Sequence, residues 1–120
     1  MAGTVVTTEI TYPSVKKVKF AWESDASGDA DGTTTAVFSG KLIQVTTVPD
    51  ATAAPSVDND VVIEASDGVD LLAGSGADRH TSNTEHIKSA DIGAVSASTL
   101  KLVVENAGAT KKGIVYVYLR

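Results

Sequence analysis

The sequence contains no cysteine among its 120 residues. This absence excludes a disulfide framework and any metal site built on thiolates. Aromatic side chains are also scarce, with two phenylalanines, three tyrosines and one tryptophan. These aromatic side chains are few for a surface that stacks on sugars or on single-stranded nucleic acid. A chain of this length is expected to form one domain with a modest core.

Long apolar runs and excess positive charge are missing as well. No stretch of the sequence approaches the ~20 consecutive apolar residues that a membrane-spanning helix needs. Met1 to Ile10 lacks the basic segment and apolar run of a secretory signal, so we expect a product made in the cytoplasm. The formal net charge is −5. Because nucleic-acid binding needs clustered Lys and Arg, neither nucleic acid nor a membrane is a predicted partner.

The acidic residues are concentrated in the middle of the chain. Residues 23–70 hold ten acids and one base, Lys41, which gives −9, so the remainder carries +4. One interpretation is an acidic surface that keeps the protein soluble. The other is a charge-polarised subunit that docks its basic side on an acidic partner or on a copy of itself.

Short runs of β-branched or alternating apolar residues recur along the chain, as is typical of strands. Thr4 to Thr11 is β-branched except at Glu9. Val18, Phe20 and Trp22 alternate with charged or small residues, which places Trp22 in the predicted core. The remaining runs are Thr33 to Phe38, Leu42 to Val48, Val61 to Ile63, Leu100 to Glu105 and Ile114 to Leu119.

The last two runs predict a β-hairpin with a loop longer than a two-residue turn. The final run places Tyr116 and Tyr118 on one face and Val115, Val117 and Leu119 on the other. Bulky side chains on both faces favour a strand that is sheltered on both sides, by the core on one and by a partner on the other.

Turn-forming residues separate these runs. Ser24 to Thr35 has no large apolar residue and predicts an exposed loop, and Pro49 to Asp60 predicts a second long connection. Asp67-Gly68 predicts a tight turn with glycine at positive φ. Val69 to Ala77 and His86 to Ala97 are each long enough for a turn or two of helix, but glycines interrupt both.

Together these patterns predict an all-β chain: a single-domain antiparallel β-sandwich or small β-barrel with long loops and little helix. Residues 1–14 are expected to form an N-terminal arm or first strand. Residues 15–120 are expected to form the sandwich domain.

Metal chemistry has two candidate sites in the sequence. His80 and His86 lie in one polar stretch, but their spacing fits no metal motif, and two surface histidines are the preferred interpretation. Asp25, Asp29 and Asp31 lie among glycines, as in a calcium loop. A calcium loop that takes Gly32 as its sixth position would need a bidentate Glu where Phe38 stands, so an acidic hairpin tip is preferred.

Catalytic motifs are absent from the sequence. There is no G-x-S-x-G elbow, and Gly74-Ser75-Gly76 lacks the strand-to-helix context and following Lys of a phosphate-binding loop. We therefore predict a non-enzyme that needs no cofactor and no metal.

Four segments are similar to the successive motifs of one protein family. Phe20 to Gly28 (FAWESDASG) is similar to a "tWtSDasG" opening, and Gly40 to Pro49 is similar to the Gly-strand-Pro segment that follows. Ser66 to Arg79 is similar to a "DxDGxDxLxGxGxxR" element, and Leu100 to Leu119 to a final β-hairpin. From about Val15 to Arg120 the chain therefore resembles a family of small virion structural proteins of tailed bacteriophages. One departure is Ala65-Ser66, where the family more often has an acid, and this further weakens the metal reading.

The resemblance implies a protein of the virion, made in the host cytoplasm, that acts as a head decoration or capsid-stabilising protein. Its implied partners are the major capsid protein and copies of itself, with a trimer favoured. A structural protein of the tail or head–tail connector is one alternative. A host-surface or carbohydrate-binding module is another.

The predicted interface has three parts: the N-terminal arm, the Ser24 to Thr35 loop and the Leu71 to Arg79 turn. The arm is expected to add a strand to a neighbouring subunit's sheet. Deletion of Met1 to Thr8 is therefore expected to abolish capsid binding and to leave the domain folded. The predicted interface residues are Thr4, Val5, Val6, Thr7, Thr8, Asp29, Asp31, Leu71, Leu72 and Arg79.

Overall fold

A computed structural model describes residues 3–11, 15–57, 59–88 and 92–120. These residues form nine strands and no helix. The strands are β1 (Thr4–Thr11), β2 (Lys16–Glu23), β3 (Ala30–Thr33), β4 (Phe38–Pro49), β5 (Asp60–Glu64), β6 (Glu85–Ile87), β7 (Ala94–Ser98), β8 (Lys101–Glu105) and β9 (Lys112–Leu119). Every pair of named strands is antiparallel, so the predicted all-β antiparallel fold is confirmed.

The larger of two sheets has six strands in the order β1-β2-β9-β4-β6, with β7 paired to β4 beside this path. β1 pairs with β2 along its whole length, from Thr4 opposite Glu23 to Thr11 opposite Lys16. β9 lies between β2 and β4, and Val117 is the partner of both Val18 and Val45. β1 is therefore an edge strand, and β9 is central.

The smaller sheet has three strands in the order β3-β8-β5. Its register places Leu102 beside Gly32 and Ile63, and Val104 beside Ala30 and Val61. Because successive side chains of a strand point to opposite faces, one face of this sheet is apolar, and its other face carries charged residues around Val62 and Val103.

The core lies between the two sheets. The large sheet contributes Val18, Phe20, Val45 and Val117, and the small sheet contributes Ile63, Leu102 and Val104, all nearly or fully buried. This arrangement is that of a β-sandwich, in which the inner faces of two sheets pack together.

Trp22 lies in this core at 5% exposure, as its alternation predicted. Its partner across the ladder is Gly113 of β9. A Cβ at position 113 would lie 2.6 Å from Cζ2 of Trp22. The glycine therefore provides the space in which the indole ring lies against the backbone of β9.

The predicted hairpin of the last two strands is wrong, because β8 belongs to the small sheet and β9 to the large one. Residues 106–111 carry the chain from one sheet to the other. The Ala107 N–H donates to Gly28 O at 3.0 Å, and the Ser56 N–H donates to Ala107 O at 2.8 Å. These bonds hold the connection between two other loops at the end of the sandwich.

The predicted loop from Ser24 to Thr35 is also wrong in part. Its second half forms β3, and Ser24, Ala30 and Thr34 are buried. Ala30 and Gly32 provide the inward positions of β3, and a Cβ at Gly32 would lie 2.5 Å from Cβ of Val5, so the small sheet accepts this polar segment. The predicted break at Ser39-Gly40 is an irregularity within the continuous strand β4.

The helical turns considered for two segments do not form in the described residues. Residues 71–76 form successive turns, and β6 and β7 occupy most of the described part of His86 to Ala97, in which residues 89–91 lie outside the described ranges. The Asp70 carboxylate organises the turns by accepting the N–H groups of Leu72 and Gly74, both at 2.9 Å. Gly68 has φ +86°, so the tight turn with glycine at positive φ is confirmed.

Candidate interaction surface

The outward face of the large sheet combines apolar, aromatic and basic side chains. It takes every second residue of β1, β2 and β9, because the inward positions fill the core. We call it the Tyr–Lys face and define it by Val6, Ile10, Lys17, Lys19, Tyr116 and Tyr118. The outward face of an antiparallel sheet is ordinarily polar. Here Val6 is 67% exposed and Ile10 37% exposed.

Lys17 and the two tyrosines form the centre of this face. The Lys17 ammonium lies 4.6 Å from the ring centroid of Tyr116 and 5.9 Å from that of Tyr118. The ring centroids are 6.4 Å apart and their planes are inclined by 30°. Cation–π attraction of this kind contributes ~0.5–1 kcal/mol at an exposed site. This attraction favours the orientation of Lys17 over the rings.

A polar cluster adjoins the tyrosines on the β4 and β6 side of the same face. The Gln44 amide donates to Thr46 Oγ1 at 2.9 Å. His86 Nδ1 lies 3.0 Å from Thr46 Oγ1 and 3.2 Å from Gln44 Nε2. Thr46 and Gln44 lie opposite Tyr116 and Tyr118 in the ladder. The aromatic centre is therefore bordered by lysines on one side and by the hydrogen-bonded side chains of Gln44, Thr46 and His86 on the other.

The outward face of the small sheet has the opposite charge. Its outward positions carry four acids and one base, namely Asp31, Asp60, Glu64, Glu105 and Lys101, together with Thr33, Val62 and Val103. We call the five charged residues the acidic face. Because the two sheets pack through their inner faces, the Tyr–Lys face and the acidic face lie on opposite sides of the sandwich.

The predicted arm residues Thr4 to Thr8 lie in β1, which pairs with β2 of the same chain. Thr4, Val6 and Thr8 point outward and are exposed, whereas Val5 and Thr7 are half-buried on the inner side. Val5 packs against the core. In this structure β1 therefore completes its own sheet, and its role in binding a neighbour stays a prediction. The remainder of the predicted 1–14 segment, residues 1–2 and 12–14, lies outside the described ranges.

Asp29 and Asp31 were predicted to contact a partner from an exposed loop. Asp31 is exposed on the acidic face of β3, and Asp29 is half-buried just before that strand. The backbone carbonyl of Asp29 accepts the N–H groups of Gly3 and Asp25. Asp29 thus ties the start of β1 to the small sheet.

The prediction that Leu71 and Leu72 contact a partner needs correction, because both are core residues with 4% and 0% exposure. Leu71 is held in the core by hydrogen bonds from its N–H to Ile63 O and from the Gly93 N–H to its carbonyl, both 2.7 Å. Arg79, the third predicted residue of this turn, is half-buried and lies 3.7 Å from Glu85 in an ion pair. The turn therefore keeps both leucines inside, and contact of Arg79 with a partner stays a prediction.

The two candidate metal sites have other roles in the structure. Asp25 Oδ1 accepts the N–H groups of Ser27 at 2.8 Å and of Asp29 at 3.1 Å. His80 Nδ1 accepts the N–H groups of Ser82 and Asn83. No group of three or more His, Asp or Glu side chains with metal-binding geometry occurs within the described ranges.

Hydrogen bonds lower the pKa values of two carboxyl groups in turns, those of Asp25 and Asp50. The Asp29 N–H is the main cause of the lowered pKa of Asp25. The Ala53 N–H, at 2.8 Å, is the main cause of the lowered pKa of Asp50, and Thr52 adds to it. In both turns a carboxylate satisfies backbone donors, which is a structural task.

Four residues at the centre of the Tyr–Lys face were not among the predicted interface residues: Lys17, Lys19, Tyr116 and Tyr118. The alternation of the last strand had indicated a partner on its second face, and that signal pointed to both tyrosines. Nothing in the sequence placed β2 beside β9, so the lysines could not be assigned to the same surface.

In the part of the chain that the structure describes, no helix has the length and apolar character needed to cross a membrane.

Among known proteins, no protein-family model matches the sequence, and no curated protein is significantly similar to it.

Proposed function

We propose that this chain is a non-catalytic structural protein of a tailed-phage virion that decorates the head by binding the major capsid protein. The phage assignment depends on the resemblance of residues 20–28, 40–49 and 66–79 to that family. The binding role depends on the Tyr–Lys face. Support for that role comes from the exposure of Val6 and Ile10 beside half-buried tyrosines on the outward side of a sheet.

An exposed surface of this composition is typical of a contact with another protein. Apolar patches bordered by polar groups mark interaction sites. Tyrosine is enriched in protein interfaces because its ring buries a large area while its hydroxyl keeps a hydrogen-bonding group. The same composition is unusual for the solvated side of a sandwich.

The folding roles of the resembling segments agree with a structural protein. In residues 20–28, Trp22 fills the core, and the hydroxyl of Ser24 donates to Gly108 O at 2.6 Å. In residues 66–79, Asp70 caps the turns and two leucines enter the core. These motifs hold a scaffold together, and its outward faces remain available for partners.

A carbohydrate-binding module receives less support. Sugar rings bind on exposed aromatic faces, and the Lys17 ammonium lies over both tyrosine rings. The Lys17 side chain would have to move away from the tyrosine rings before a sugar could stack on them.

The proposal is tested by mixing the purified chain with undecorated heads of the phage that encodes it and locating it by electron cryomicroscopy. We expect ordered density over the head lattice. Density confined to the tail or connector would show that the chain is a structural protein of the tail or head–tail connector and does not decorate the head. Binding to glycans or host cells, with no density on the particle, would refute a virion role.

Self-association belongs to the same proposal, with a trimer favoured. Its test is the mass of the chain in solution and on the head. We expect threefold density at each binding position. A single isolated copy at each position would remove the trimer from the proposal.

A further inference from the structure

The two outward faces of the sandwich differ in the sign of their charge. The acidic face has four carboxylates and one ammonium. The outward positions of the large sheet include Lys17, Lys19 and Lys112, with Glu23 as the one acid on β2 and β9. A chain with a net charge of −5 thus keeps a basic surface on one side.

Within the described residues, Lys17 and Lys19 form no ion pair within 4.0 Å. The ion pair between Arg79 and Glu85 is the only one within 4.0 Å among the described residues. Lys17 is directed to the tyrosine rings by cation–π contacts, and Lys19 is half-buried beside Tyr116 in the ladder. A carboxylate from another molecule can therefore approach either ammonium without displacing one from this chain.

We propose that the Tyr–Lys face is the side of this protein that docks on the capsid, and that it docks on an acidic protein surface with the acidic face turned away. The inference rests on the proposed function and names the docking side and the charge of the partner. Electrostatic complementarity orients the encounter and opposes the inverted arrangement, in which the acidic face would meet like charge.

The composition of the face favours protein over nucleic acid as its occupant. Val6 and Ile10 are exposed apolar side chains that gain from burial against other apolar groups. A phosphate backbone provides no such partner, and Lys17 lies over the rings on which bases would stack. The acidic face and the net charge also repel a polyanion.

The size of the face predicts a modest affinity for each copy. The three strands that form it, about 4.8 Å apart and with about eight residues of ~3.4 Å each, give an area on the order of 400 Å². Stable interfaces bury about 800 Å² on each partner. We therefore expect weak binding that salt reduces, with occupancy of the head raised by contacts between neighbouring copies.

Charge reversal at two matched lysines tests the inference. Lys17→Glu alters the Tyr–Lys face, and Lys101→Glu alters the acidic face. Both residues are half-buried, outward-pointing lysines near the start of a strand, and both substitutions lower the net charge by the same amount. Binding to undecorated heads is measured by co-sedimentation at several NaCl concentrations.

We expect Lys17→Glu to weaken binding by about tenfold or more, and Lys101→Glu to leave it within about twofold. Wild-type binding should fall as salt rises, and that of Lys17→Glu should depend less on salt. Lys17→Met is the second variant, because it keeps the aliphatic stem over the rings and removes the charge alone. We expect it to bind less tightly than wild type and more tightly than Lys17→Glu, and the fluorescence of Trp22 reports whether each variant is folded.

Three outcomes would overturn the inference. If wild type binds heads and folded Lys17→Glu binds equally well, the docking side is wrong while the proposed function stands. If a single-stranded oligodeoxynucleotide binds wild type and Lys17→Glu abolishes that binding, the occupant is a nucleic acid. If wild type does not bind heads at all, the proposed function fails and the inference fails with it.

Discussion

Gly113 is a position at which one methyl group changes the packing of the core. An added Cβ would lie 2.6 Å from Cζ2 and 2.8 Å from Cε2 of Trp22. Overpacking of this kind costs ~1–3 kcal/mol. We expect Gly113→Ala to lower the free energy of unfolding by that amount in urea denaturation.

A double-mutant cycle separates this clash from the intrinsic cost of the substitution. Trp22→Phe removes the part of the indole that the new methyl group would touch. The two substitutions should therefore cost less together than the sum of their separate effects. Strict additivity would show that Gly113 is required for another reason.

Asp25 is expected to make stability depend on pH. Its pKa in the folded chain lies below the ordinary value of 3.8, chiefly because the Asp29 N–H donates to it. Its stabilising contribution is therefore complete above the unfolded pKa and is lost as the pH falls through the lower, folded pKa. Asp25→Asn should destabilise the protein at pH 7, and the difference from wild type should shrink at a pH below 3.8.

Denaturation at both pH values, with Asp31→Asn as the control, tests this expectation. Asp31 is exposed on β3, and none of the described backbone N–H groups donates to its side chain. If Asp25→Asn lowers the free energy of unfolding by the same amount at both pH values, the stabilising contribution of Asp25 does not come from an ionised, hydrogen-bonded carboxylate.

At the scale of the elements, the Ser24 hydroxyl helps to hold the crossing from β8 to β9, together with backbone hydrogen bonds. Ser24 Oγ donates to Gly108 O at 2.6 Å and accepts the Lys111 N–H at 2.8 Å. Ser24→Ala would leave both backbone groups unsatisfied in a buried place, which costs about 1–3 kcal/mol. Thermal unfolding should detect the loss, and Ser27→Ala, whose hydroxyl is exposed, should stay within about 0.5 kcal/mol of wild type.

Deletion of Met1 to Thr8 is expected to destabilise the domain, in contrast to the prediction from the sequence. Thr4 to Thr8 pair with β2, and Val5 packs against the core. Each lost backbone hydrogen bond costs about 1 kcal/mol, so the total should be several kcal/mol. Urea denaturation measures it, with Val6→Thr as a control that keeps the strand and changes an exposed side chain.

Alternation and β-branched runs predict β1, β2, β4, β5, β8 and β9 but not their neighbours, and they miss β3, β6 and β7. The run from Thr4 to Thr11 coincides with β1, and the inward positions of β2 were read correctly as Val18, Phe20 and Trp22. The sequence predicts a hairpin for the last two strands because local patterns specify each strand separately. Which strands pair depends on the path of the connection between them. The hydrogen bonds of Ala107 with Gly28 and Ser56 join distant parts of the chain, and no local pattern reveals them.

The candidate surface was partly predictable for the same reason. The alternation of β9 indicated a second contact face, but Lys17 joins that face only through the pairing of β2 with β9. Leu71 and Leu72 were assigned to a surface turn because glycines and acids surround them. Their burial follows from tertiary contacts with Ile63 and Gly93, which local composition does not encode.

At the scale of the whole molecule, the two sheets share one core, so they should unfold together. Trp22 is the only tryptophan, and it lies in the core on the inner side of the large sheet. Its fluorescence therefore reports core packing, while far-UV circular dichroism reports both sheets. We expect the two signals to change at one midpoint, as in a two-state domain, with an enthalpy of roughly 80 kcal/mol. Separate midpoints would mean that the small sheet is an independent unit.

The central position of β9 has a consequence for biosynthesis. All eight other strands leave the ribosome before β9, yet β2 and β4 have no partner between them until it arrives. During that interval two open strand edges and the apolar side chains of Phe20 and Leu42 are exposed to other nascent chains. Translation that stops before Lys112 should therefore yield an aggregation-prone product that chaperones retain, and the final strand closes the sheet in one late step.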